Sequence, residues 1–176
     1  MTPKEAKNFR RKWGKWLKSI EQDLADLLIS HDIFKEVSSI VMANKNIQSP
    51  VLLHRWINHN YLCRVSIGVR RLRDIDKRSI SLFRLIEDIL EHPGAISRDY
   101  FTAKYPKWMQ ERGIADYDFN KFANKGEQML SVSKLKRDLN KLKRDTDKIK
   151  KFTNKWVAHS DINRRKSKIP TYEYIA

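Results

Sequence analysis

Apolar positions along this chain recur at threes and fours, the period of a helix that buries one stripe. Phe9, Trp13, Leu17 and Ile20 open the pattern over 4–20. Leu24, Leu27, Leu28, Ile33 or Phe34, Val37 and Val41 carry it through 21–43. Asn44, Asn46, Ser49 and Pro50 break it into a turn. A second helix is predicted from about Val51 to Leu72, with Leu62, Val65, Val69 and Leu72 as its core face. Beside that face runs a more polar stripe of His59, Cys63, Ser66 and Arg70. Ser79 suits the N-cap of a third helix over 80–91, buried through Leu82, Leu85, Ile86 and Ile89, and Pro93-Gly94 stops it. The last helix is expected from about Glu127 to Ala158, with Leu135, Leu139, Leu142, Ile149, Phe152 and Trp156 on its stripe.

Residues 93–126 depart from this rhythm. Three of the five glycines and two of the five prolines fall there, among seven aromatic side chains. The segment reads as a long excursion with one or two short helices, held down by its aromatics, since a structureless loop of that length is unusual. The tail over 162–176 opens on Arg164, Arg165 and Lys166 and is expected to be extended. No strand-period run and no internal repeat occurs. The expected fold is therefore all-α: an up-and-down bundle of four long helices plus short additional ones, in a single domain over 1–176.

Composition narrows the partner class. Lys and Arg number 37 against 21 Asp and Glu, a net charge of +16 over 176 residues. Such a surface favours a polyanion, nucleic acid or an acidic membrane, over a neutral partner. The basic amphipathic segment 4–20 carries Lys4, Lys7, Arg10, Arg11, Lys12, Lys15 and Lys18. It reads as a helix docked by its apolar stripe, as an RNA-gripping arm, or as a membrane-surface helix. No apolar run approaches the roughly 20 residues of a membrane span. With one cysteine, Cys63, no intrachain disulfide forms, and a cytoplasmic location is expected. Cys63 reads as a buried small residue. His59 and Cys63 stand at a ligand-like spacing, but two ligands do not make a zinc site, so no metal and no cofactor is expected. There is no phosphate-cradling Gly-rich loop and no HExxH pair.

Chemistry concentrates at the end of the last helix, in Lys148–Asp161, which includes Lys151, Asn154 and Lys155. Lys155 lies one turn before His159, on the same helical face. An imidazole beside a cation can move protons near neutral pH. A histidine there can equally cap the helix by bonding its last carbonyls.

Two blocks resemble the AbiU-like branch of the HEPN superfamily. One is Ser66-Ile67-Gly68-Val69-Arg70-Arg71-Leu72-Arg73-Asp74, with Ser79-Ile80-Ser81-Leu82 and Leu85-Ile86 after it. The other is Asn154-Lys155-Trp156-Val157-Ala158-His159-Ser160-Asp161. The resemblance implies a helical bundle, often a homodimer, used in phage defence or toxin–antitoxin systems. It implies RNA or a nucleotide as ligand and a cognate antitoxin or defence partner. Many such proteins are metal-independent ribonucleases whose site pairs an arginine and a histidine in an R-x4–6-H motif, duplicated across the dimer interface. His159 matches the histidine, while Asn154, Thr153 and Phe152 fill the positions open to the arginine. The resemblance then implies one of two things. Lys155, helped by Arg70 or Arg71, supplies the phosphate-stabilising charge and His159 the acid/base, with Asn154, Lys151 and Asp161 beside them. Alternatively, the groove binds nucleic acid, a nucleotide or a protein without cutting.

Overall fold

A computed structural model describes residues 1–48 and 51–154. Seven α-helices, four of them long, form an all-α bundle among the described residues. They are α1 (Pro3–Ala43), α2 (Val51–Leu72), α3 (Leu82–Glu91), α4 (Arg98–Thr102), α5 (Lys107–Glu111), α6 (Ile114–Phe119) and α7 (Val132–Phe152). The chain divides into two compact units. The first is Met1–Lys18 with Ile75–Lys143, and the second is Ser19–Asp74 with the chain from Arg144 on.

In the first unit the start of α1 buries Ala6 and Trp13, with exposed polar residues between them. Leu17, expected on the stripe, is 43% exposed. The helix is held instead by an ion pair. Lys12 Nζ reaches both oxygens of Asp88 on α3, at 3.0 and 2.9 Å, and Trp13 Nε1 donates to the same carboxylate at 2.5 Å. The buried face of α3 is Phe83, Leu85 and Asp88; of the expected Leu82, Leu85, Ile86 and Ile89, only Leu85 is fully buried and the others are half-buried. Its N-cap is Ser81, whose hydroxyl accepts from the Arg84 amide at 3.0 Å. Ser79 instead donates to the Asp76 carbonyl and closes the preceding turn.

The excursion holds three short helices and a 3-10 turn, Pro93–Ala95, more structure than its composition predicts. Phe119, Ala123, Leu130 and Leu135 make its core, packed by Ile86, Ile89, Leu90, Ile96 and Phe101. Only some of the aromatics point inward: Trp108, Tyr117 and Phe122 are exposed. Arg98 locks the segment. Its guanidinium lies 4.7 Å over the Phe119 ring and donates to Asp116, Asn120 and the carbonyls of Asn124 and Glu127. Met129 forms an antiparallel bridge with Ser97. This bridge delays α7, which begins at Val132 rather than near Glu127.

In the second unit the later part of α1 pairs with α2. Gly68 allows the approach: a Cβ there would stand 2.3 Å from Leu27 Cδ2. Val65 and Leu72 of α2 are buried, as are Ile149 and Phe152 of α7. Phe34 stacks flat on Tyr61, with centroids 3.9 Å apart. The Tyr61 hydroxyl meets His31 Nδ1 at 2.8 Å. The expected stripe along 21–43 is not fully covered, because Leu24, Leu28 and Ile33 are 46–57% exposed.

Candidate functional site

The end of α7 is pinned to the middle of α2 within the second unit. Thr153 is fully buried, and its hydroxyl lies 3.1 Å from the Ser66 carbonyl and 2.8 Å from that of Ile149. Ser66 is itself fully buried. A small side chain at Ser66 lets the two helices meet there, and the hydroxyl of Thr153 is shared between two carbonyls that have different owners.

Helical phase sorts the arginines that follow Ser66. Arg70 and Arg73, four and seven residues on, share its face, whereas Arg71 is turned well away. The contacts agree. Arg73, only 11% exposed, donates to Asp147 of α7 at 3.2 Å. Arg71 instead pairs with Asp23 of α1 at 2.9 Å. It lines a small cleft of about 120 Å³ with Asp23, Asp26 and Arg64. Lys151 is also engaged, to Asp147 at 2.7 Å. Hydrogen bonds from Lys151 and Arg73 hold the Asp147 carboxyl below its ordinary range. Arg70 is exposed and has no ion pair among the described residues.

Asn154 fills one of the three positions, with Thr153 and Phe152, that the R-x4–6-H spacing leaves open to an arginine. The Asn154 Oδ1 is buried and has no hydrogen-bond partner among the described residues, and the same is true of Ser66 Oγ. His159, Lys155 and Asp161 lie outside the described residues, as does the expected tail over 162–176.

Of the residues singled out by sequence, Lys151 and Asn154 lie at the α7 end of the α2–α7 contact, Arg70 shares the helical face of Ser66 and is exposed, and Arg71 belongs to the α1 side. The sequence reading missed Arg73 and Asp147. The i, i+3 spacing of Arg70 and Arg73, and the i, i+4 spacing of Asp147 and Lys151, were the available signals.

Elsewhere, Cys63 is half-buried rather than buried, and its Sγ lies 3.5 Å from His59 Nε2. Burial raises its thiol pKa, which makes it a poor nucleophile at neutral pH. Asp88, Glu91 and His92 bring ligand-type atoms within 4.8 Å of one another. Lys12 already occupies both Asp88 oxygens, and the His92 ring packs on Phe9 with centroids 3.9 Å apart. That carboxylate is committed to an ion pair.

The sequence model of the AbiU2 HEPN family matches residues 10–173. The chain belongs to this family and is a HEPN module of the abortive-infection type. No curated protein and no solved structure matches it. No described helix is long and apolar enough to cross a membrane.

Proposed function

We propose that the protein handles RNA in a phage-defence or toxin–antitoxin setting, as a metal-independent endoribonuclease. The observation that carries this reading is the final-helix block Asn154–Asp161, with His159 at the motif position, in an AbiU2 HEPN chain of charge +16.

In this reading the RNA cleaves itself under guidance. The ribose 2′-hydroxyl attacks the adjacent phosphorus as His159 manages its proton. The bond to the 5′-oxygen breaks, that oxygen leaves as a hydroxyl after protonation, and a 2′,3′-cyclic phosphate remains. Negative charge grows on the phosphate oxygens as the bond forms, so a fixed cation is needed there. Lys155 is the nearest in sequence. Arg70 is a better helper than Arg71, because Asp23 already neutralises Arg71. A lysine lacks arginine's two-pronged grip on phosphate, so the rate should fall below that of a motif with arginine.

A homodimer fits this reading. Ten large apolar side chains between Leu24 and Trp56 are 46–79% exposed. Ile29, Ile33, Phe34, Val37, Trp56 and Tyr61 line a groove of about 500 Å³. A monomer's largest apolar patch is commonly about 300–600 Å², and larger ones mark contact surfaces. The face also suits a meeting of two strongly basic chains, since Arg64 is the only cation on its lining and Asp26 stands 3.6 Å from it.

The second reading is a non-catalytic module that binds a nucleotide, RNA or a protein, and it is favoured because none of Phe152, Thr153 and Asn154, the positions open to the motif arginine, is basic.

A ribonuclease assay with chelator present separates the two, run on wild type and His159→Ala with mixed cellular RNA. Cleavage by wild type alone, leaving cyclic-phosphate ends, is the expected result. Cleavage that requires added magnesium, or that survives in His159→Ala, overturns the nuclease reading. RNA that is retained intact by both proteins, with affinity falling steeply in salt, supports the binding module.

A further inference from the structure

The cations of α1 fall into two sets. Arg10 and Lys12 turn toward the first unit and are engaged. Arg10 donates to the Ala95 carbonyl at 2.9 Å and lies 3.9 Å over the Tyr100 ring, and Lys12 holds Asp88. Lys4, Lys7, Arg11, Lys15 and Lys18 are all exposed, and none has an ion-pair partner among the described residues. Their spacing of three, four, four and three places them within about 80° of one another around the helix. They form one continuous row about 21 Å long.

That row is not offset by acid. Residues 1–18 carry seven Lys and Arg and one acidic residue, Glu5. Glu5 is turned back on the helix start, where it accepts from the Thr2 amide at 2.7 Å. An unpaired like-charged row costs stability through self-repulsion, since like charges one turn apart destabilise a helix.

Gly14 interrupts the row's side chains but not its line. It lies between Arg11 and Lys18 on the same side of the helix. Nothing approaches within 4 Å of the Cβ it lacks, and its φ is not positive. Neither packing nor backbone geometry therefore requires glycine, which costs an exposed helix position about 1 kcal/mol against alanine. What glycine does provide is bare backbone in the middle of the row, where another chain can come close.

We infer that this face of α1 is a docking surface for the sugar–phosphate backbone of a single RNA strand. Five cations about one helical turn apart match a linear run of phosphates. That the strand is RNA rests on the reading of function above, while the row itself reads only phosphates. A membrane surface is the weaker occupant. A helix that lies on a bilayer needs its apolar side free, and here Ala6 and Trp13 are 8% and 2% exposed.

The test uses the full chain and a labelled 20-nucleotide strand with 2′-O-methyl riboses, which cannot be cleaved through the 2′-oxygen. Binding is then independent of any nuclease activity. One variant carries Lys4→Gln, Lys7→Gln, Arg11→Gln, Lys15→Gln and Lys18→Gln. A charge-matched control carries Lys77→Gln, Lys107→Gln, Lys125→Gln, Lys136→Gln and Lys141→Gln, all exposed lysines away from the row. Circular dichroism confirms that both fold.

The row variant should bind at least about 30-fold more weakly near 0.1 M salt. The slope of log affinity on log salt should shrink by about 3.5, or roughly 0.7 per single-strand phosphate released. The control should lose several-fold at most and keep most of its slope. Equal losses in both variants would show that only net charge matters and would overturn the inference. So would wild-type binding to anionic vesicles that is tighter than binding to the strand and lost in the row variant. A marked preference for the same sequence as DNA would overturn the assignment to RNA. Loss of cleavage in His159→Ala leaves these binding measurements untouched, so the two proposals fail separately.

Discussion

Trp13 and Asp88 are joined by a 2.5 Å hydrogen bond from the indole nitrogen to a carboxylate that Lys12 also holds. The Asp88 side chain is 10% exposed and that of Lys12 is 41% exposed. Burial alone would raise the Asp88 pKa. The hydrogen bonds from Lys12 and Trp13, with the charges of Lys12 and His92, outweigh it and leave the group below its ordinary value. Asp88→Ala leaves Lys12 free to turn to water but orphans the buried Trp13 indole nitrogen, so it should cost about 2–3 kcal/mol. Trp13→Phe, which removes one donor, should cost about 1–2 kcal/mol. Urea unfolding midpoints check the order. A costlier Lys12→Met than Asp88→Ala would show that the ammonium, and not the carboxylate, is the anchor.

Two glycines should respond to alanine with opposite signs. Gly14→Ala should stabilise by about 0.5–1 kcal/mol, since it adds helix propensity and meets nothing. Gly68→Ala gains the same propensity but drives a methyl into Leu27. Overpacking costs about 1–3 kcal/mol, so a net loss is expected. Combining it with Leu27→Ala should turn the effect of Gly68→Ala favourable. Thermal unfolding of the four proteins and wild type decides the matter, and an unchanged penalty in the double variant would rule out the Leu27 contact as its cause.

One turn should hold its order until the pH is unusually low. The Arg78 side chain and amide both donate to Asp76 and hold its pKa down to about 2, from an ordinary 3.8. A depressed carboxyl contributes its stabilising effect above the unfolded value and loses it as pH falls through the folded one. Order in the 76–79 turn should thus persist to about pH 4 and fade toward pH 2. The Asp76 side-chain carbon signal in an NMR titration reports the midpoint directly. Arg78→Gln should return it toward 3.8.

The apolar face of α1 and α2 should set the size of the particle. Trp56→Asp with Ile33→Asp places two charges on surfaces 64% and 55% exposed, where they cost the folded monomer little. Light scattering should give a dimer for wild type and a monomer for the variant. A dimer from both would move the contact elsewhere.

Helix boundaries set by composition were legible in the chain. Val51–Leu72 coincides with α2 because Pro50 and the charged run after Leu72 bracket a clean period. Boundaries set by tertiary contacts were not. Ser79 and Ser81 are both good caps in isolation, and the Asp76 carbonyl decides between them by claiming Ser79. The start of α7 moved because Met129 pairs with Ser97, a contact thirty-two residues away that no local pattern encodes. The same holds at the candidate site. Helical phase puts Arg70 on the face of Ser66 and turns Arg71 away from it, but no local pattern gives Arg71 its partner, Asp23 of α1. The exposed stretch of α1 past Ser19 reads as core because periodicity records amphipathicity and not whether a neighbour covers the apolar side.

Arg98 ties together four partners between Asp116 and Glu127 while resting on Phe119. Arg98 is the side chain that bonds to all four, while Lys134 holds the Asn120 and Ala123 carbonyls and Phe119 and Ala123 are fully buried, so the stretch shares one anchored core. In hydrogen exchange the amides from Tyr100 to Asn124 should behave as one cooperative unit, with a shared opening energy below that of α3 and α7. Arg98→Met, which keeps the packing on Phe119 and removes the five donors, should speed exchange across that unit together and leave the long helices protected.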